Sequence, residues 1–178
     1  MSTVKIKDKE FAINLSAGEI QGFVQQVADQ INRDLCNDNP LFVIILNGCF
    51  MFAGDLFKKV NFPCEISFIK LTSYIGTEST SNVKTLIGIN ENIKGRKIVI
   101  VEDIIDTGIT IDHLLIQLEK FQPAEIKIAT LLFKPNAFQK NFKIDYIGKE
   151  IPNDFIIGYG LDYDGYGRNL PDIYKIVS

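Results

Sequence analysis

The segment "KIVIVEDIIDTGITIDHLLIQLEKF", residues 97–121, constrains this chain most, because a strand-like apolar run, three carboxylates, a small hydroxyl-rich turn and an amphipathic helix follow without a break. If Val101 ends a strand and Ile111 begins a helix, residues 106–110 form a loop at the helix N-terminus. Free N–H groups and the helix dipole favour an anion there. Thr107 and Thr110 add hydroxyl donors, and Gly108 lets the backbone approach closely. The pocket suits one phosphate monoester. No G-x-x-x-x-G-K-[ST] occurs, and no G-x-G-x-x-G follows the strand, so neither a Walker loop nor a dinucleotide fingerprint accounts for it. Glu102 and Asp103 would repel a bound phosphate unless they accept hydrogen bonds from hydroxyls or act with a divalent cation. A sugar phosphate carrying a magnesium-bound group satisfies these demands together.

The rest of the chain supplies a sheet for that crossing. Ser16 and Glu19 have capping-box spacing, and Ile20, Phe23, Val24, Val27, Ile31 and Leu35 follow at helical intervals, so a helix is expected over 17–36. "LFVIIL", residues 41–46, reads as a strand covered on both faces, with a short helix expected over 50–60. Further strands are expected at 65–71, 84–89, 97–101, 126–133 and around 155–159, with a helix closed by Pro123 between those at 97–101 and 126–133. Strands alternating with helices predict a mostly parallel α/β sheet whose ligands gather at the carboxyl ends of the strands.

With 178 residues, 46% of them hydrophobic, the chain suits a single domain with its own core. The formal charge of −3 gives no global basic surface for nucleic acid or anionic membrane. Cys36, Cys49 and Cys64 form no C-x-x-C pair, which fits reduced thiols in a cytoplasmic setting and argues against zinc. The first residues hold no apolar signal region, and the apolar-rich stretch 39–54 is too short to span a bilayer, so no membrane role is expected.

"VEDIIDTGIT" resembles the 5-phosphoribosyl-1-pyrophosphate (PRPP) binding motif of type I phosphoribosyltransferases, in their 6-oxopurine branch. The resemblance runs from about Leu46 to the C-terminus. "LNGCFMFAGDL" is similar to the family's pyrophosphate loop, "SYIG" to the opening of its lid, "LLFK" to the segment with its purine-contacting lysine, and "FIIGYGLDYDGYGRNL" to its base-and-metal loop. Five matches in order are far more specific than any one.

The resemblance implies the type I fold, a parallel sheet flanked by helices with a small hood from about 144–178. It implies phosphoribosyl transfer from PRPP to hypoxanthine or guanine, with Mg2+ and a homodimer or homotetramer, for which the apolar "CFMF" is a candidate contact. Glu102 and Asp103 would hold the ribose hydroxyls, partly through magnesium; Thr107, Gly108, Ile109 and Thr110 would bind the 5-phosphate. Asp106 would face purine N7 as the catalytic acid–base group. Lys134 would donate to the 6-oxo oxygen, Phe155 would stack on the ring, and the Ile156 backbone would meet the edge carrying N1. Asp162 would hold a second magnesium through water. Leu46, Asn47 and Gly48, with an implied cis peptide at Leu46–Asn47, would grip pyrophosphate together with Arg168. Ser73 and Tyr74 would close over it as a lid. Many relatives carry Lys where this chain has Asn47, which shifts the grip toward backbone N–H groups, magnesium and Arg168.

Other readings of the same residues are weaker. "DTG" is the aspartic-protease triplet, but such proteases need two copies and one is present. "DYDGYGR" lacks the calcium-loop pattern and its distal Glu. His113 falls inside the expected helix, Cys49 reads as a small filler, and Phe155 is as compatible with core packing as with stacking when pattern alone is used. Residues 72–82 fit a hairpin tip as well as a lid. A xanthine- or guanine-preferring enzyme and a nucleotide- or RNA-binding regulator are the rival functions; the latter lacks the expected basic face.

Overall fold

The computed structural model describes residues 3–73 and 83–177. Its elements run β1 (Thr3–Ile6), β2 (Lys9–Leu15), α1 (Ala17–Leu35), β3 (Leu41–Leu46), α2 (Phe50–Phe57), β4 (Glu65–Ser73), β5 (Val83–Ile87), β6 (Lys97–Ile105), α3 (Ile109–Glu119), β7 (Glu125–Phe133), β8 (Tyr146–Glu150), β9 (Ile156–Ile157) and β10 (Ile173–Ile176). The main sheet has the order β5-β4-β3-β6-β7-β8. Its last five strands are mutually parallel, and β5 is antiparallel to β4. No described helix is long and apolar enough to cross a membrane.

The first helix starts where its sequence signal lies. Ser16 Oγ accepts from Glu19 N, and the Glu19 carboxylate accepts in return from Ser16 N at 2.9 Å. Asp172 adds a carboxylate that accepts from Ala17 N at 2.7 Å, tying this entry to the C-terminal segment. Ile20, Val24, Val27, Ala28, Ile31 and Leu35 then form the buried stripe. That stripe packs on Phe42, Ile44, Val99, Val101 and Ala129 of the sheet, together with Phe52 and Leu56 of α2. Leu41, Val43, Ile98 and Ile100 point the other way and meet Ile111, Leu114 and Leu118 of α3. The continuously apolar β3 is thus buried on both faces, as its sequence predicts.

Three differences from expectation bear on the architecture. α2 stops at Phe57, three residues early. β6 does not end at Val101: it stays paired with β7 through Glu102↔Thr130, Ile104↔Leu132 and Ile105↔Phe133, so two of the three acids lie on the strand. The third difference concerns the hood. β8, within the expected hood range, is instead the edge of the main sheet, and the second sheet is β1-β2-β10-β9, half of it supplied by the N-terminal hairpin. Aliphatic and aromatic residues on alternate positions drive this pairing, with Phe11, Ile157 and Tyr174 at its centre and Val4 and Ile6 against them.

Since the α1 cap joins both sheets, Ser16→Ala should lower thermal stability. A loss of about 0.5–2 kcal/mol, or a few degrees in melting temperature, is expected in thermal melts; an unchanged midpoint would contradict the role given to this cap.

Candidate active site

Among the described residues, the β3–α2 turn, the acids of β6 and Lys134 lie at the carboxyl ends of β3, β6 and β7. At the end of β3 the Leu46–Asn47 peptide is cis, and the chain turns through Gly48 into α2. A Cβ at Gly48 would collide with the Asp103 carboxylate, and one at Gly160 would collide with the Gly48 carbonyl oxygen. Gly160 has φ 101, a left-handed conformation that other residues rarely adopt. Glycine at both positions therefore lets three segments touch: the β3–α2 turn, the acid-bearing strand and the loop after β9.

That last loop folds back on itself. Arg168 Nη1 donates to Gly160 O at 2.7 Å, and Arg168 Nη2 pairs with Asp162 Oδ1 at 2.6 Å. The other Asp162 oxygen accepts from Gly165 N at 2.6 Å. Behind it, the rings of Phe11, Phe155 and Tyr163 lie 6.0–6.3 Å apart in tilted and edge-on contacts. Phe155 remains 46% exposed, so it is a half-open aromatic surface and not plain core. Ile156 beside it is buried and pairs with Lys175 in the small sheet.

Adjacent strand residues face opposite ways, and the two acids of β6 do so. Asp103 meets Gly48, and Glu102 lines a cavity of about 90 Å³ with Ile104, Asp106 and residues 107–111. Gly108, at φ 82, is the N-cap of α3, and Ile109 N donates to Thr107 Oγ at 3.4 Å. The turn between β6 and α3 therefore lies at a helix N-terminus, as expected, with α3 starting at Ile109, two residues before Ile111. Asp106 Oδ2 accepts from Lys134 Nζ at 3.0 Å, bringing an acid from the end of β6 to a cation from the end of β7. Lys134 is buried and Asp106 half exposed.

Burial dominates the acids' electrostatics. It pushes Glu102 well above the ordinary carboxyl range, with the Asp103 charge adding to it, and Glu102 Oε2 is buried without a hydrogen-bond partner. Burial also raises Asp103 to about 6, against the pull of N–H donors from Ile104 and its own residue and of Arg168; Asp162 adds a further upward push. Burial together with Asp103 and Glu102 lifts the Cys49 thiol, so this cysteine is a filler and not a nucleophile. An oxygen-only pair of desolvated acids lacking a cation suits a hard divalent ion completed by substrate oxygens. Among the described residues, no three His, Cys, Asp or Glu side chains converge on one metal position, so Glu102, Asp103 and Asp162 do not form a single cage.

Ser73 is the last residue of β4, and Tyr74 lies outside the described residues. Of "CFMF", Cys49 and Phe52 are buried in the core, and Phe50 is 47% exposed. Sequence reasoning missed the Gly48–Gly160 contact, the Asp106–Lys134 pair and the support of Phe155 by Phe11. The alternation of "VKIKDKEFAINL" around a Lys7-Asp8 turn was the available signal for the last.

Fold and site together define a class: a parallel α/β domain with a small cavity at a strand-to-helix turn and desolvated acids beside it. The chain belongs to the phosphoribosyl transferase domain family, whose model matches residues 16–164. It is 38% identical over 160 residues to the hypoxanthine-guanine phosphoribosyltransferase of Streptococcus thermophilus, covering 89% of each chain. Its fold matches a hypoxanthine phosphoribosyltransferase from Staphylococcus aureus with a TM-score of 0.88 at 34% identity, over 93% of this chain and 91% of that one. It also matches the Trypanosoma cruzi hypoxanthine phosphoribosyltransferase, solved in complex with the product IMP, with a TM-score of 0.86 at 33% identity, over 98% and 97%.

The raised pKa of Asp103 makes stability depend on pH. The folded chain keeps this proton to about pH 6, whereas an unfolded Asp loses it near 3.8, so stability present in acid is lost as pH rises through that window. Asp103→Asn should therefore be more stable than the parent near pH 8, by about 1–3 kcal/mol, with the gap closing toward pH 4. Denaturant melts across this range check it; a variant less stable at pH 8 would contradict the assignment.

Proposed function

We propose that this chain transfers the 5-phosphoribosyl group of PRPP to a 6-oxopurine, chiefly hypoxanthine and secondarily guanine, giving the nucleoside monophosphate and pyrophosphate in purine salvage. The observation that carries this reading is the meeting, at one end of the sheet, of the phosphate turn, the desolvated acids of β6 and the Asp106–Lys134 pair.

In this reading residues 107–110 receive the 5-phosphate, and Glu102 and Asp103 accept from the ribose hydroxyls. Glu102 and Asp103, with Asp162 for a second ion, are the residues that would hold magnesium, whose chemistry is to gather charge on the departing pyrophosphate. Leu46, Asn47, Gly48 and Arg168 bind that pyrophosphate, with Arg168 leaving Asp162 to do so. Purine N9 attacks the anomeric carbon as its bond to pyrophosphate breaks, and Asp106 accepts the proton from N7. Lys134 donates to the 6-oxo oxygen. A cation beside an acid matches a base edge that presents an acceptor next to an N–H donor. Adenine, with a 6-amino donor, leaves the lysine unpaired.

Phe155 offers its half-open ring to the base, and the Ile156 backbone meets the N1 edge. Ser73 and Tyr74 close over the sugar to keep water from the activated carbon. Three unpaired thiols support a reducing, cytoplasmic setting. The exposed Phe50 supports self-association into a homodimer or homotetramer.

Assay of IMP formation from hypoxanthine, PRPP and magnesium tests the reading, with guanine, xanthine and adenine compared under equal conditions. Turnover should vanish in excess chelator, and adenine should be a poor acceptor. Asp106→Asn should lower turnover by about 10² to 10⁴-fold with PRPP affinity little changed, while Glu102→Gln and Asp103→Asn should weaken PRPP binding as well. If Asp106→Asn loses PRPP as severely as the other two, its carboxylate serves the sugar and not the base.

A further inference from the structure

The helix that receives the phosphate carries an acid in its first turn, Asp112. Such an acid favours the helix dipole but repels a dianion bound at the same N-terminus. The turn over residues 107–111 contains no Lys or Arg to offset it.

A cation reaches it from the connection after β7. Lys134 N donates to Ile105 O at 3.0 Å and Gln139 N to Thr107 O at 3.2 Å, so this connection is pinned to the strand end and to the turn. The Phe138 ring lies edge-on to Phe133 and Phe142, anchoring the connection on the α3 side of the core. The stem of Lys140 rests on the phosphate turn: a Cβ at Gly108 would stand 3.1 Å from Lys140 Cγ. Lys140 Nζ then pairs with Asp112 Oδ2 at 2.7 Å, both side chains about a third exposed. The same connection supplies Lys134 to Asp106. Each aspartate flanking the turn is thus matched by a lysine from one neighbouring segment.

We propose that Lys140 is a positioning residue for the 5-phosphate site: by offsetting the Asp112 charge it makes the turn able to hold a dianion. The inference rests on the phosphoribosyl reading of that turn. It differs from a purely mechanical role, in which the pair merely ties the connection to α3, because the two accounts give Asp112→Asn opposite signs. As counter-charge, Lys140 becomes dispensable once Asp112 is neutral. As a tether, losing either partner does equal harm.

The test measures dissociation constants of ribose 5-phosphate and PRPP by calorimetry at low salt. Lys140→Met keeps the aliphatic stem and removes the charge; it should weaken both ligands about tenfold, less at high salt, with kcat at saturating PRPP unchanged. Lys140→Arg should bind as the parent does. Asp112→Asn should bind as tightly or more so, and Lys140→Met combined with Asp112→Asn should return to within about twofold of the parent. The inference is overturned if Asp112→Asn weakens binding as much as Lys140→Met, or if Lys140→Met binds normally. A parent protein that binds neither ligand overturns the phosphoribosyl reading itself, a failure distinct from one confined to the variants.

Discussion

The Asp103 carboxylate is held out of water against the backbone of Gly48, and the rest of the site is arranged around that contact. A side chain at Gly48 would take the space of the acid, and one at Gly160 would take the space of Gly48. The two glycines therefore fix how near the β3–α2 turn, β6 and the loop after β9 can come. The strands deliver these segments because β3 and β6 are buried on both faces and adjacent in the sheet. The core thus sets distances in the site.

Desolvated carboxylates without a cation destabilise the free protein, and the raised pKa values of Glu102 and Asp103 express that. The exposed groups nearby behave differently: Asp106, Asp112 and Asp162 each have a Lys or Arg partner in the unliganded chain. These pairs keep the partly wet acids neutralised until a ligand competes for the cations. Among the described residues the buried pair has no such salt-bridge partner, so a positive charge brought to it would relieve that cost.

How much of this was legible in the sequence depended on how local each signal was. The capping box of Ser16 and Glu19, the run "LFVIIL" and the turn after Asp106 are short-range patterns, and each lies where the sequence puts it. β6 runs four residues past its expected end because Glu102 and Asp103 break its hydropathy while the strand stays paired with β7, Glu102 facing the cavity and Asp103 facing Gly48. The hairpin of β1 and β2 is hidden because its charged residues mask a period-two pattern, and β8 because Gly148, Lys149 and Glu150 leave it only two apolar residues in a row. The contacts that make the site work join Gly48 to Gly160 and Asp106 to Lys134, pairs far apart along the chain. Only the folded sheet shows them.

The central claim is that burial raises Asp103 to about 6 in the free protein and that this acid gives up its proton when a cation-bearing sugar phosphate arrives. Calorimetry of magnesium and PRPP binding near pH 6, in buffers of different ionisation enthalpy, counts the protons directly. The account predicts net proton release that shrinks as the pH is raised toward 8 and shrinks again in Asp103→Asn at pH 6. Binding with no buffer dependence, or with release unaltered by Asp103→Asn, would contradict it.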